Sequence, residues 1–268
     1  MYTIPKNLLS TRNAKTIKGE KQGFTTYIMY LSPFTDNSKG INLCSHASIG
    51  CAKACLFNSG AARFNHVQNG KRNKTEYFLA ERQNFLLQLV NEIEFIVRMH
   101  NEVTDGKKLG RTGKVVRYKD FAIRLNGTSD ISFEKFKIKD GKNIFELFPN
   151  VQFYDYTKNH LRFERVKNLS NYHLTFSRSE TNETQSIKML ENGFNVAMVF
   201  NKTLPDNYLG YDVINGDETD LRFLDKSNVI VGLKYKKATG SGGKAINQIA
   251  KDYDFVIKDH EIKLQNVA

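Results

Sequence analysis

Residues 172–200 read YHLTFSRSETNETQSIKMLENGFNVAMVF, and this stretch decides the fold class. YHLTFS (172–177) carries β-forming side chains and predicts a strand. Residues 182–192 are expected to form a helix. FNVAMVF (194–200) is almost wholly apolar, as a strand buried on both faces would be. Strand, helix and strand in so short a span imply parallel pairing through a right-handed crossover.

The rhythm extends in both directions. Upstream, VQFYDY (151–156) predicts a strand followed by a helix at 160–168, and FAIRLN (121–126) a strand followed by a helix within 133–148. Downstream, strands are expected at 211–214 and 229–233, then a helix at 243–252 and a last strand near 254–257. FTTYIMYLS (24–32) predicts the first strand. Thr75 is placed to cap a helix in which Phe78, Leu79, Phe85, Leu86, Leu89, Val90, Ile93, Ile96 and Val97 recur at helical spacing. The number of units predicts an α/β fold, a β/α barrel of parallel strands, closed or partly open, with a long N-terminal cysteine loop. A doubly wound open sheet is the alternative. The expectation is a single β/α domain over 1–268, with an N-terminal arm at 1–23 and a cysteine or metal loop at 33–74.

The chain of 268 residues has 40 Lys plus Arg against 28 Asp plus Glu, a net charge of +12. That excess attracts polyanions, so the expected partner is nucleic acid, DNA foremost, or a nucleotide. The alternative is a basic chain with no such partner. The charge is clustered: Lys71, Arg72 and Lys74 follow the cysteines, Lys107, Lys108, Arg111, Lys114, Arg117 and Lys119 crowd one stretch, and Lys234, Lys236, Lys237 and Lys244 flank a glycine loop. The first 23 residues lack the apolar core of a signal peptide, and no apolar run is long enough to span a membrane. With three cysteines a disulfide framework is not expected, and a reducing, cytoplasmic setting is.

All three cysteines fall in LCSHASIGCAKACL (43–56), spaced C-x6-C-x3-C. Cys44, Cys51 and Cys55 can converge on one centre if the loop curls, and Gly50 permits a turn. Thiolates are soft ligands for zinc and for iron–sulfur clusters, and the spacing does not choose between them. Three thiolates leave one position open: His46 or His66 would complete a zinc site, and a small molecule would occupy the open iron of a [4Fe–4S] cluster. Three buried structural cysteines are the alternative.

In barrels and open α/β sheets, chemistry collects at the carboxyl ends of strands. Here those ends carry Arg124, Asn126, Thr128, Ser129 and Asp130; then Asp155, Tyr156, Thr157 and Lys158; then Ser177, Arg178, Ser179 and Glu180; then Asp217, Glu218, Asp220 and Arg222. Asp130, Asp217 and Asp220 are the candidate bases or nucleophiles. Helix capping and salt bridging explain the same residue types equally well. Asn126-Gly127 is also a turn dipeptide. Gly242 and Gly243, in the loop Gly240–Lys244 before the last expected helix, are candidate anion binders, although the loop does not match the P-loop pattern.

The segments Ile123–Asp130, Phe153–Lys158 and Thr175–Ser179, with Cys44-x6-Cys51, resemble a bacteriophage family known as gene product 88. That family has no settled activity. Thr128-Ser129-Asp130 stands where the resemblance leads one to expect Ser-Gly-Asp. The three-cysteine loop ahead of a barrel also resembles radical SAM enzymes, which usually carry C-x3-C-x2-C, a spacing from which this chain departs. The resemblance implies that Cys44, Cys51 and Cys55 ligate a [4Fe–4S] cluster whose fourth iron takes S-adenosylmethionine. Asn126, Ser129, Asp130, Ser177 and Arg178 would then line the cofactor and substrate pocket. The function expected is therefore a phage-type enzyme that modifies a nucleotide or nucleic acid in the host cytoplasm. The first rival is a zinc-containing base-exchange enzyme resembling tRNA-guanine transglycosylases, with an aspartate nucleophile. The second is a zinc-containing nucleic-acid-binding protein without enzymatic activity.

Overall fold

The computed structural model describes residues 2–11, 14–55, 62, 64–237, 244, 247, 248 and 252–265. Its centre is a run of parallel strands whose side chains alternate between two apolar faces. These are β2 (Phe24–Met29), β5 (Asp120–Arg124), β6 (Gln152–Thr157), β7 (Tyr172–Ser177), β8 (Val196–Phe200), β11 (Ile230–Lys234) and β10 (Tyr211–Asn215), paired in that spatial order. The edges are antiparallel and two residues long: β1 (Leu9–Ser10) on β2 and β9 (Asn207–Tyr208) on β10. β12 (Val256–Ile257) pairs with Val199 and Phe200 of β8, beyond the point where β7 pairs with Val196 and Ala197. It therefore lies in line with β7, past that strand's carboxyl end.

One face of the sheet carries Ile123, Phe153, Tyr172, Leu174, Phe176, Val196 and Met198, all buried in a single apolar cluster with residues of the helices. The helices are α3 (Asn65–Ala80), α4 (Arg82–Asn101), α5 (Ile144–Leu147), α6 (Leu161–Val166) and α7 (Glu183–Glu191). Fully burying each of these large side chains contributes about 1.5–3 kcal/mol. The other face carries Phe24, Ala122, Arg124, Tyr154 and Tyr156. Residues 216–225 turn back across it: Leu221 and Phe223 pack on Ala122, Tyr154 and Phe24.

The sheet is large and mostly parallel, and it does not close into a barrel. The interior that barrel strands would fill for themselves is taken by Leu221, Arg222 and Phe223, and the terminal strands β1 and β9 are not paired to each other. The expected strands at 24–32, 121–126, 151–156, 172–177, 194–200, 211–214, 229–233 and 254–257 are present, within a few residues at their ends. The helix expected from residue 76 is two helices, α3 and α4, broken at Glu81 (φ −132°, ψ 57°), and α3 begins at Asn65. Thr75 is buried inside α3, where its hydroxyl accepts from Ser32 N rather than capping. The N-terminal arm contains α1 (Ala14–Glu20), and a hairpin of β3 (Lys107–Leu109) and β4 (Val115–Tyr118) precedes β5. Among the described residues no helix is long and apolar enough to cross a membrane.

Candidate functional site

The polar strand ends do converge. A cleft of about 270 Å³ opens at the carboxyl ends of β5, β6, β7, β8, β10 and β11, and Cys44, Cys51 and Cys55 all line it. So do Asn126, Ser129, Asp130, Ser177, Asp217 and Asp220, which brings the three candidate aspartates and most of the other candidates to one place.

The floor is built by a buried hydrogen-bond network. Asp155, fully buried on β6, accepts from Asn126 N (2.7 Å), Asn126 Nδ2 (3.0 Å) and the Tyr172 hydroxyl (2.8 Å). Asn126 Oδ1 in turn accepts from Ser129 Oγ (2.9 Å) and Ile131 N (2.8 Å). Asn126 and Ser129 therefore hold the 126–131 loop together. Arg162 of α6 is fully buried and donates to Asp130 (2.9 Å), to both oxygens of Glu134 (3.0 and 3.2 Å) and to the Tyr172 hydroxyl (2.6 Å). Asp130 Oδ2 accepts from Lys158 N at 2.9 Å. Burial works against charge on Arg162, but Tyr172, Glu134 and Asp130 outweigh it and hold the guanidinium firmly ionised.

The other two aspartates are also engaged. Asp220 accepts from Arg124 Nη1 (2.8 Å), whose guanidinium lies 4.7 Å from the centre of the Tyr156 ring. Asp217 pairs with Lys236 (3.0 Å) and accepts from Lys234 N (2.9 Å). Burial opposes ionisation of Asp217, but these donors and Lys18 prevail and lower its pKa.

The cysteine segment bridges two strand ends. On the β5 side, Asp130 N donates to Leu43 O (2.9 Å), and the Cys44 thiol lies 3.7 Å from Thr128 O. Burial pushes the Cys44 thiol up to about 12, reinforced by the other two cysteines. On the β7 side, Cys51 lies in α2 (Ile49–Lys53), whose N-cap Ser48 accepts from Cys51 N. Glu180, three residues past β7, accepts from Ser48 Oγ and Gly50 N, each at 2.7 Å. A Cβ on Gly50 would stand 2.7 Å from both Glu180 Oε1 and Phe255 Cβ, so glycine there lets α2 seat against these two residues.

Other candidates stand apart. His46 is exposed, outside the cleft lining, with Nδ1 3.0 Å from Ser45 Oγ. Arg178 pairs with Glu183 and donates to Asp254 O (2.6 Å) and Phe255 O, joining β7 to the approach to β12. Gly242 and Gly243 lie outside the described residues. Among the described residues, no three His, Cys, Asp or Glu side chains stand close enough to hold one metal ion as placed.

The basic clusters part company. Lys71 is buried, Arg72 pairs with Asp36 and Lys74 donates to Leu8 O. The basic hairpin β3–β4 leads into the amino end of β5, the end of the sheet remote from the cleft. Lys234 and Lys236 reach the cleft, joined by three residues that sequence reasoning did not single out for it: Lys18 from α1, Tyr235, and Phe255 beside β12. The sequence placed Phe255 in the last expected strand without marking it for the cleft, and nothing in the polar N-terminal arm pointed to Lys18.

Fold and site together define an open, mostly parallel α/β protein with a strand-end cleft shared by three cysteines. The chain belongs to the gene product 88 family, whose sequence model matches residues 7–251. No curated protein and no solved structure matches it.

Proposed function

We propose that the chain is a metal-dependent enzyme of phage type whose strand-end cleft modifies a nucleotide or nucleic acid, with Cys44, Cys51 and Cys55 as the metal ligands. One observation carries this reading: every cysteine of the chain lines the same cleft as the polar strand ends. Three thiols match the donor chemistry of a [4Fe–4S] cluster or of zinc, so the residue set fits. The thiols would have to draw together on loading, and all three lie within one 12-residue segment from Cys44 to Cys55. A [4Fe–4S] cluster with S-adenosylmethionine would supply one-electron chemistry, and this is the reading we favour. The chain's own contribution is a rigid floor, held by Asp155, Tyr172 and Arg162, that fixes the substrate under the thiols. The basic balance of the chain supports an anionic substrate.

The base-exchange alternative needs an aspartate free to attack. Asp130, Asp217 and Asp220 each already hold an arginine or lysine, which disfavours it. The test is anaerobic purification followed by iron, sulfide and zinc analysis of wild type and of Cys44→Ser, Cys51→Ser and Cys55→Ser. About four irons per chain with a broad visible absorbance, lost in each variant, supports the cluster. One zinc and no colour moves the assignment to zinc. No metal in any preparation ends the metalloenzyme reading.

A further inference from the structure

The cleft is lined by five cationic side chains, Lys18, Arg124, Lys158, Lys234 and Lys236, against three carboxylates. All three carboxylates are in ion pairs, one of them with Arg162 from outside the cleft. The lining is therefore left with positive charge to spare. Lys158 is its inner representative. It is half-buried, and among the described residues it forms no ion pair. Its Nζ donates to Ser177 Oγ (2.9 Å) and stands 5.7 Å from the centre of the Phe255 ring. Its backbone is pinned by the Asp130 carboxylate that Arg162 also holds.

An ammonium carries three protons, so the bond to Ser177 leaves two for a ligand. The Ser177 hydroxyl, having accepted from Lys158, keeps its own proton to donate. Lysine and hydroxyl together form a pair of donors with an uncompensated charge in a concave, partly desolvated place, where charge-assisted hydrogen bonds to an anion are strong. Phe255, beside this pair, also packs against Cys51 and Ala54, so the donors adjoin the cysteine helix.

We propose that Lys158 and Ser177 bind the phosphate of a single nucleotide in this cleft. The proposal rests on the nucleotide reading given above and sharpens it. At about 270 Å³ the cleft is at the small end for ligand pockets, which run from about 300 to 1,000 Å³. It admits one nucleotide, free or turned out of a strand, and excludes a stacked duplex.

Calorimetry on the full chain, with the four 5′-deoxynucleoside monophosphates and the matching nucleosides, tests this. Wild type, Lys158→Met, Ser177→Ala and Lys188→Met are compared; Lys188 is exposed on α7 and controls for net charge. At least one monophosphate should bind about tenfold more tightly than its nucleoside. That margin should vanish in Lys158→Met, shrink in Ser177→Ala and persist in Lys188→Met. If Lys158→Met does not fold, the fall in Ser177→Ala decides. No binding of any monophosphate, equal binding of nucleoside and monophosphate, or a margin that survives both cleft variants overturns the proposal. Metal analysis of the same preparations separates it from the metalloenzyme reading. Metal lost from Lys158→Met with nucleotide binding intact would make the lysine a counter-charge to the thiolates and overturn the phosphate site. A Lys158-dependent margin in a protein without metal would uphold the phosphate site and end the metalloenzyme reading.

Discussion

Ser48 and Glu180 lie 132 residues apart in the chain and share a hydrogen bond of 2.7 Å. The same carboxylate accepts from Gly50 N, and Ser48 accepts from Cys51 N, so Glu180 fixes the start of the five-residue helix that carries Cys51. A helix this short has no stability of its own and depends on such tethers.

Glu180→Ala should therefore loosen the cysteine segment while leaving the sheet intact. Ser48 Oγ and Gly50 N would lose their acceptor, which should lower stability by about 1–2 kcal/mol in urea denaturation. The more specific readout is timed alkylation of the metal-free protein, followed by mass spectrometry. Cys51 should label faster than in wild type. Cys44, held on the β5 side with its thiol raised to about 12 by burial, should label at its wild-type rate. An unchanged rate at Cys51 would mean that Phe255 alone seats the helix.

Arg162 is the second point of dependence. It is fully buried and satisfies Asp130 and Glu134 at once. Arg162→Met would take from Asp130 its ion-pair partner and leave the buried Glu134 to the longer 3.4 Å contact with Arg165, and a loss of about 3–5 kcal/mol is expected in denaturant unfolding. Arg162→Lys should restore little, because an ammonium cannot reproduce the forked contacts to Glu134 and Asp130. A lysine variant as stable as wild type would show that charge alone, not geometry, holds the network.

These two relationships explain what could and could not be read from the sequence. The strand at 194–200 was legible because burial on two faces leaves a local record, an apolar run of strand length, and the one at 172–177 because its side chains are β-formers. The cleft was legible as a set of polar strand ends, since parallel strands in one sheet direct their carboxyl ends the same way. The roles within it were not. Asn126 and Asp130 look like ligand-binding residues in sequence, yet their partners Asp155 and Arg162 come from elements 29 and 32 residues away. The open sheet was hidden for a similar reason. Leu221 and Phe223 sit in a stretch with no strand or helix period, so nothing local marked them as the filling of the concave face.

Gly127 offers a separate check on local sequence reading. Asn-Gly suggests a turn that needs a left-handed residue, but Gly127 is absent from the positive-φ positions. The requirement is space: a Cβ there would stand 2.6 Å from Met29 O and 2.6 Å from Tyr30 Cδ1, where the end of β2 meets the β5 loop. Backbone cannot yield as a flexible side chain can, so Gly127→Ala should destabilise by about 1–3 kcal/mol. A thermal melt indistinguishable from wild type would show that the two segments can separate freely.

The last prediction concerns pH. Burial pushes the Asp155 carboxyl up to about 6, against the lowering by Arg162, Arg124, Asn126 N–H and the Tyr172 hydroxyl. The unfolded carboxyl titrates near 3.9. The folded value is the higher one, so the fold binds this proton more tightly than the unfolded chain does. The stabilising contribution is present in full below about pH 4 and is lost as pH rises through about 6. Asp225, also raised to about 6 by burial, acts in the same direction. A comparison of wild type with Asp155→Asn cancels it. On going from about pH 7.5 to about pH 4.5, wild type should gain about 2 kcal/mol relative to the variant in urea denaturation. A gap that stays constant over that range would mean that the donors around Asp155 outweigh its burial and hold it ionised throughout. A gap that moves the other way would mean that they hold it below the ordinary carboxylate range.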